Sequence, residues 1–189
     1  MKSGLVVGAL LVAGVLAGSP VFAQQKAAKR AKPPLSTQKA VLDQWNDVGR
    51  KLIAMAEDFP EDKYEFKPSP AQQSFAQRLL HAANVNYFFT NVVLGQKPPS
   101  MEDAEKQQFK TKADIAAFVK KSFADGAAAI KQGGDAGMNK LVTDPFSNER
   151  ERVSDFAYGF IEHSGEIYGQ LAVYYRVAGL VPPESRPKK

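Results

Sequence analysis

"IEHSGEIYGQLAVYYRVAGLVPP", Ile161–Pro183, decides how the rest of the chain is read. Together with the residues before it, it sets Phe156, Phe160, Ile167, Leu171 and Tyr174 at helical spacing as one apolar line. Asp155, Gly159, His163, Glu166 and Gln170 form a polar line beside it. Gly179 supplies a stop and Pro182-Pro183 bar continuation, so the spacing predicts a helix from about Asn148 to Ala178. So long an apolar line has to be covered by other elements. A polar line on its border, thinned by Gly159 and Gly165, predicts a water-accessible pocket between helices.

Three further helical patterns precede this one. Ser36 is an N-cap for a helix carrying Val41, Trp45, Val48 and Leu52, which Asp58-Phe59-Pro60 ends. Ser74 and Gln77 form a capping box for a second, through Leu79, Leu80, Val85, Phe88 and Val92 to Gly95. Thr111 and Asp114 open a third, with Ile115, Phe118, Val119 and Phe123 on one face; Gly126 weakens its second half and Gly133-Gly134 fade it out. Only Leu141–Val142 resembles a strand. Four such helices joined by Pro-bearing loops predict an all-α four-helix bundle over residues 36–185.

The ends have a different character. Lys2, the apolar run Leu5–Ala17 and Val21-Phe22-Ala23 read as a secretory signal over residues 1–23, cut after Ala23; Ser19-Pro20 interrupts the run before it reaches membrane-spanning length. Residues 24–35 are a basic Pro/Ala linker and 186–189 a basic tail. The expected location is the periplasm or the medium, with no membrane attachment after cleavage. Eight of the 25 Lys and Arg lie in these terminal stretches, so the formal charge of +5 misleads: seventeen remain against twenty Asp and Glu in the bundle, a net −3. That balance excludes nucleic-acid binding through a basic face. The chain has no cysteine, which excludes disulfides, thiolate catalysis and cysteine-ligated metals.

Two histidines remain. His81 is in line with Val85, Phe88 and Val92, so its ring points into the bundle; His163 lies on the polar line three residues before Glu166. His81, His163 and Glu166 together are a two-histidine, one-carboxylate set able to hold one divalent ion such as Zn, Ni, Fe or Mn. The bland reading of the same residues is a solvated carboxylate and two satisfied, partly buried imidazoles. Other polar groups divide in the same way. Tyr87 and Tyr168 are hydroxyl donors to a ligand or core aromatics, Asn84 orients a ligand or water or is structural, and Arg176 binds substrate or, by preference, caps the last carbonyls or pairs with a carboxylate. Gly165-x-x-x-Gly169 permits a close helix contact, within the bundle by preference or across a homodimer.

Taken together, Trp45 and Arg50, YEFKPSP (residues 64–70), SFAQRLLHAANVNYFF (residues 74–89) and the opening stretch resemble the DinB-like family of four-helix bundles. The most specific pieces are His81, His163, Tyr168-Gly169-Gln170-Leu171, Arg176, Gly179 and Pro182-Pro183. The resemblance implies an up-down-down-up bundle with a long crossover between the second and third helices. It also implies a divalent metal on three histidines and, in some relatives, thiol-transferase or isomerase activity. Two of those histidines fall on His81 and His163; the third position, four residues after His163, is Ile167. Glu166 is the nearest substitute, rotated by about 100° around the helix. Two functions follow as expectations. One is a metal-dependent transferase or hydrolase. The other is a non-catalytic small-ligand-binding or scaffold protein with a degenerate metal site.

Overall fold

The computed structural model describes residues 35–100 and 109–187; the readings made for residues 1–34, signal sequence included, lie outside them. The described chain forms α1 (Thr37–Asp58), α2 (Phe75–Val93), α3 (Lys112–Met138) and α4 (Val153–Val177). Strands β1 (Leu141–Thr143) and β2 (Arg150–Arg152) pair antiparallel between α3 and α4.

The helix starts follow the capping chemistry. The Ser36 hydroxyl accepts from Lys39 N–H at 3.0 Å, and both reciprocal capping boxes form, Ser74 with Gln77 and Thr111 with Asp114. Two expectations need correction. The last helix begins at Val153 rather than Asn148, because Asn148 takes a left-handed conformation (φ 61°) and its N–H closes a turn onto the Asp144 carbonyl at 2.8 Å. Helix α3 does not fade at Gly133-Gly134. It breaks at Gly134 (φ 57°, ψ −167°), a geometry that favours glycine, and then resumes to Met138.

Contacts at the helix ends set the topology. Lys112 at the start of α3 donates to the Phe59 carbonyl just beyond α1 (2.8 Å). Near the other end of α3, Asp135 accepts from the Ser36 hydroxyl and Gln38 N–H at the start of α1 (2.9 and 2.8 Å). These two helices therefore run antiparallel. Tyr175, late in α4, donates to the Met55 carbonyl late in α1, while Phe75 at the start of α2 packs against Tyr175. The order is up-down-down-up, with α1 and α2 each packed on α3 and α4.

Trp45 is fully buried, with Phe89 and Phe123 against its ring (centroids 4.9 and 5.6 Å) and its indole N–H donating to the Phe123 carbonyl at 2.9 Å. This contact explains Gly126. A Cβ there would lie 2.1 Å from Trp45 Cζ2, so the residue that weakened α3 on propensity is where the helix backbone admits the indole. Gly165 and Gly169 do the opposite of what their spacing suggests: both lie exposed, with nothing within 4 Å of an added Cβ, so they create no close approach inside the bundle.

The signature after α4 is a clamp onto α1. Gly179 turns the chain (φ 77°) into a short 3-10 turn, Pro183–Ser185. There Glu184 accepts from both terminal nitrogens of Arg50 (2.5 and 2.9 Å). Arg186, read as the start of a basic tail, donates to both carboxylate oxygens of Asp58 (2.7 and 2.5 Å). Arg176 neither caps carbonyls nor meets a carboxylate; it donates to the Ser185 hydroxyl at 3.4 Å. No helix among the described residues is long and apolar enough to cross a membrane.

Candidate functional site

The groove between α2 and α4, roofed by the β1–β2 hairpin, encloses a pocket of about 410 Å³. From α4 come Asp155, Gly159 and His163, three successive members of the polar line, together with Phe156 and Phe160; α2 supplies His81 and Val85. The first three members of that line form the predicted wall. Glu166 and Gln170 lie one and two turns further along and are exposed outside it.

The two imidazoles meet at the pocket's edge. His163 Nε2 lies 3.2 Å from His81 Nε2, with the rings inclined at 70°. At that distance one Nε2–H donates and the other nitrogen accepts, so the pair shares one proton. Burial, then His81, then the nearby Arg78 guanidinium hold His163 below the ordinary histidine value, against an upward pull from Glu166.

Glu166 approaches from the wrong side for the expected ligand set. Its carboxylate is 3.8 Å from His163 Nδ1, the ring nitrogen turned away from His81, and its side chain is 65% exposed. A ligand held between the two Nε2 atoms would have the imidazole of His163 interposed between it and this carboxylate. Ile167 is buried in the core and offers no donor. Among the described residues no group of three or more His, Cys, Asp or Glu side chains could hold a metal ion. The donors present therefore do not fit a three-ligand metal site; they supply two converging imidazoles.

The hairpin contributes residues that the spacing analysis missed: Asp144, Phe146 and Glu151. Phe146 stacks on Phe88 (centroids 4.9 Å, 25°), which seats the hairpin over the groove. Asp144 organises the turn, its carboxylate accepting from Phe146 N–H, Ser147 N–H and the Ser147 hydroxyl at 2.9, 3.2 and 2.7 Å. Burial acts against these bonds, but they hold the carboxyl below its usual range. The Asp144-Pro145 step and Asn148 are turn signals, but strands of three residues show no alternation that would mark them as a hairpin.

Of the other sequence candidates, Asn84 donates to the Ser100 carbonyl at 3.0 Å, which gives it a structural partner. Tyr87 packs on Phe118 and Tyr168 lies under the Lys51 ammonium; neither lines the pocket. Behind His163, the neighbouring Ser164 belongs to a buried polar bridge. Asn86 donates to the Ser122 hydroxyl (3.1 Å) and accepts from that of Ser164 (3.5 Å), tying α2, α3 and α4 together beneath the site.

Fold and site together define a four-helix bundle of up-down-down-up order with a histidine pair in an interhelical pocket. Residues 44–171 match the DinB superfamily, and the chain belongs to it. A DinB-like protein from Bacillus cereus ATCC 10987 superposes with a TM-score of 0.64 at 17% identity, over 77% of this chain and 95% of that one. YfiT from Bacillus subtilis, described as a probable metal-dependent hydrolase with an unusual four-helix bundle topology, gives 0.61 at 12% identity, over 76% and 88%. At these identities the likeness is one of fold. No curated protein matches the chain.

Proposed function

We propose that this chain is an exported DinB-like bundle that binds a small molecule in the α2–α4 pocket, with His81 and His163 as a hydrogen-bonding, proton-sharing pair. The observation that carries the reading is the placement of Glu166 on His163 Nδ1 while His81 occupies the Nε2 side. Two neutral donors without a carboxylate hold a divalent ion weakly, whereas an imidazole pair beside a pocket floored by Phe156 and Phe160 is suited to fixing the orientation of an organic ligand. Export rests on the signal-like residues 1–23, and Edman sequencing of the mature protein should begin at Gln24.

A second reading retains a metal, because two imidazole nitrogens on one tetrahedral ion at about 2.0–2.1 Å each would be separated by about 3.3 Å, close to the observed pair. The hydrolase description of YfiT favours this reading too. Elemental analysis of tag-free protein purified without chelator separates the two. Well under one metal per chain, equal in wild type and His81→Ala, supports the ligand-binding reading. One metal per chain that His81→Ala removes would overturn it.

A further inference from the structure

We propose that the pocket selects a small organic cation: an amine, amidine or quaternary ammonium carried on an aromatic or compact aliphatic body. This rests on the ligand-binding reading above and names the ligand class. Its first support is the composition of the walls. Asp144, Glu151 and Asp155 bring three carboxylates to one cavity, and among the described residues no lysine or arginine lines it. Arg152 Nε donates to Asp155 at 2.9 Å and Asp144 is engaged by its turn bonds, which leaves Glu151 as the carboxylate of the three with neither.

The second support is an apolar surface next to those charges. Phe156 and Phe160 are nearly fully buried in the floor, and Phe146, 61% exposed, presents an aromatic ring from the hairpin. Aromatic faces beside carboxylates attract a cation through both ring quadrupole and charge, and they cover the hydrocarbon part of an amphiphilic ligand. The pocket's volume suits a body of one ring with a short arm.

The third support is the state of Glu151. Its carboxylate has no hydrogen-bond or ion-pair partner among the described residues. Burial, and then the like charges of Asp144, Asp155 and Glu149, make its ionised form costly. A cation entering the pocket relieves that repulsion. At the opposite edge of the cavity the two imidazoles hydrogen-bond to each other through Nε2, so a ligand seated there perturbs the ring signals of both.

Gly159 keeps the cavity open. It lies on the exposed face of α4 with nothing within 4 Å of an added Cβ, so a larger side chain fits without disturbing the core and projects into the pocket. This gives a blocking variant that spares every charged and histidine residue of the site.

The test titrates the full chain with three isosteric probes, 2-phenylethylamine, 2-phenylethanol and phenylacetate, by calorimetry and histidine-ring NMR near neutral pH. The expected result is binding of the amine about tenfold tighter than the alcohol, the scale of one partly screened charge contact. The anion should bind weakest. Added salt should shrink the amine's advantage, and Glu151→Gln should cut amine affinity roughly fivefold while sparing the alcohol. Gly159→Leu should abolish binding of both at a melting temperature no lower than wild type, because it gains helix propensity without a clash. Equal affinity for amine and alcohol, preference for the anion, or amine binding that survives Gly159→Leu would each overturn the cation proposal. In the first two cases the pocket still binds small molecules and the broader reading stands. Failure of all three probes to move either histidine signal would count against both.

Discussion

His163 Nε2 faces His81 Nε2 at 3.2 Å while its other nitrogen faces Glu166 at 3.8 Å, so the imidazole stands between a second histidine and a carboxylate. Burial, His81 and Arg78 disfavour its protonation and Glu166 only partly offsets them, which leaves the ring's affinity for protons below the ordinary 6.5. The sign of the linkage follows. Near and below pH 6.5 the unfolded chain takes up a proton that the folded chain resists, so stability falls with pH across that window and levels off below the folded midpoint. With only two histidines in the chain, the ring signals of tag-free protein are assigned by one substitution, His81→Gln. The expected outcome is a His163 midpoint below 6.5 and a flatter stability profile between pH 5 and 7 in His163→Gln. A midpoint at or above 6.5 would contradict the arrangement.

The fold was largely legible because its determinants are local. Three helix starts rest on serine or threonine side chains that cap within three residues, and the apolar lines repeat at helical spacing, so sequence neighbours report on them directly. The site was legible by half. His81, Asp155, Gly159 and His163 sit on helix faces that spacing predicts, and all four line the pocket. Asp144, Phe146 and Glu151 arrive through a hairpin held by side-chain bonds from Asp144, a nonperiodic device that no hydrophobic pattern announces. Spacing puts Glu166 with His163 because residues three apart share a helix face. Which nitrogen of the ring that carboxylate meets depends on rotamers set by packing against α2, and spacing is blind to those.

Glycines in this bundle are predicted to behave in opposite ways according to what they face. Gly126→Ala puts a methyl group 2.1 Å from the Trp45 ring, and because the indole is fully buried and bonded to the Phe123 carbonyl it cannot yield cheaply. Overpacking of this kind costs ~1–3 kcal/mol, more than the helix-propensity gain of ~1 kcal/mol offsets. Gly165→Ala gains the propensity with no clash, a stabilisation of ~0.5–1 kcal/mol. Urea unfolding followed by the fluorescence of Trp45, the single tryptophan, measures both. The prediction fails if the two variants shift the midpoint in the same direction.

The clamp behind α4 gives a separate acid-sensitive element. The Asp58 carboxyl is held below its usual 3.8 chiefly by Arg186, with burial opposing and the Tyr175 hydroxyl assisting. For a carboxylate with a depressed folded value, the stabilising contribution is present above pH 3.8 and is lost as pH falls through the folded value. Asp58→Asn should therefore lower the unfolding midpoint at neutral pH and narrow its gap to wild type in strong acid. Tyr175→Phe removes the bonds to Asp58 (3.1 Å) and to the Met55 carbonyl (3.0 Å). That carbonyl keeps Phe59 N–H as a partner, so the loss should be ~1 kcal/mol. A gap for Asp58→Asn that stays constant with pH would show that the clamp's charge contributes nothing.

Ile167 offers the sharpest test of whether the pocket retains the shape of its family. It is buried in the core one turn after His163, at the position where the family resemblance implies a third metal-binding histidine. Ile167→His exchanges a well-packed branched side chain for a polar ring without a partner, and in the apo protein this should cost ~2–4 kcal/mol. If the α2–α4 groove has the geometry that the family resemblance implies, the introduced imidazole joins His81 and His163, and zinc then binds the folded state selectively. Free zinc at a hundred times its dissociation constant would return ~2.7 kcal/mol. Thermal melts of both proteins with and without zinc should therefore show a large upward shift in the variant and little in wild type, where two donors act alone. No zinc-dependent shift in a variant that still folds would mean that position 167 is closed off from the two histidines by the core, leaving the pair to serve only the pocket on its outer side.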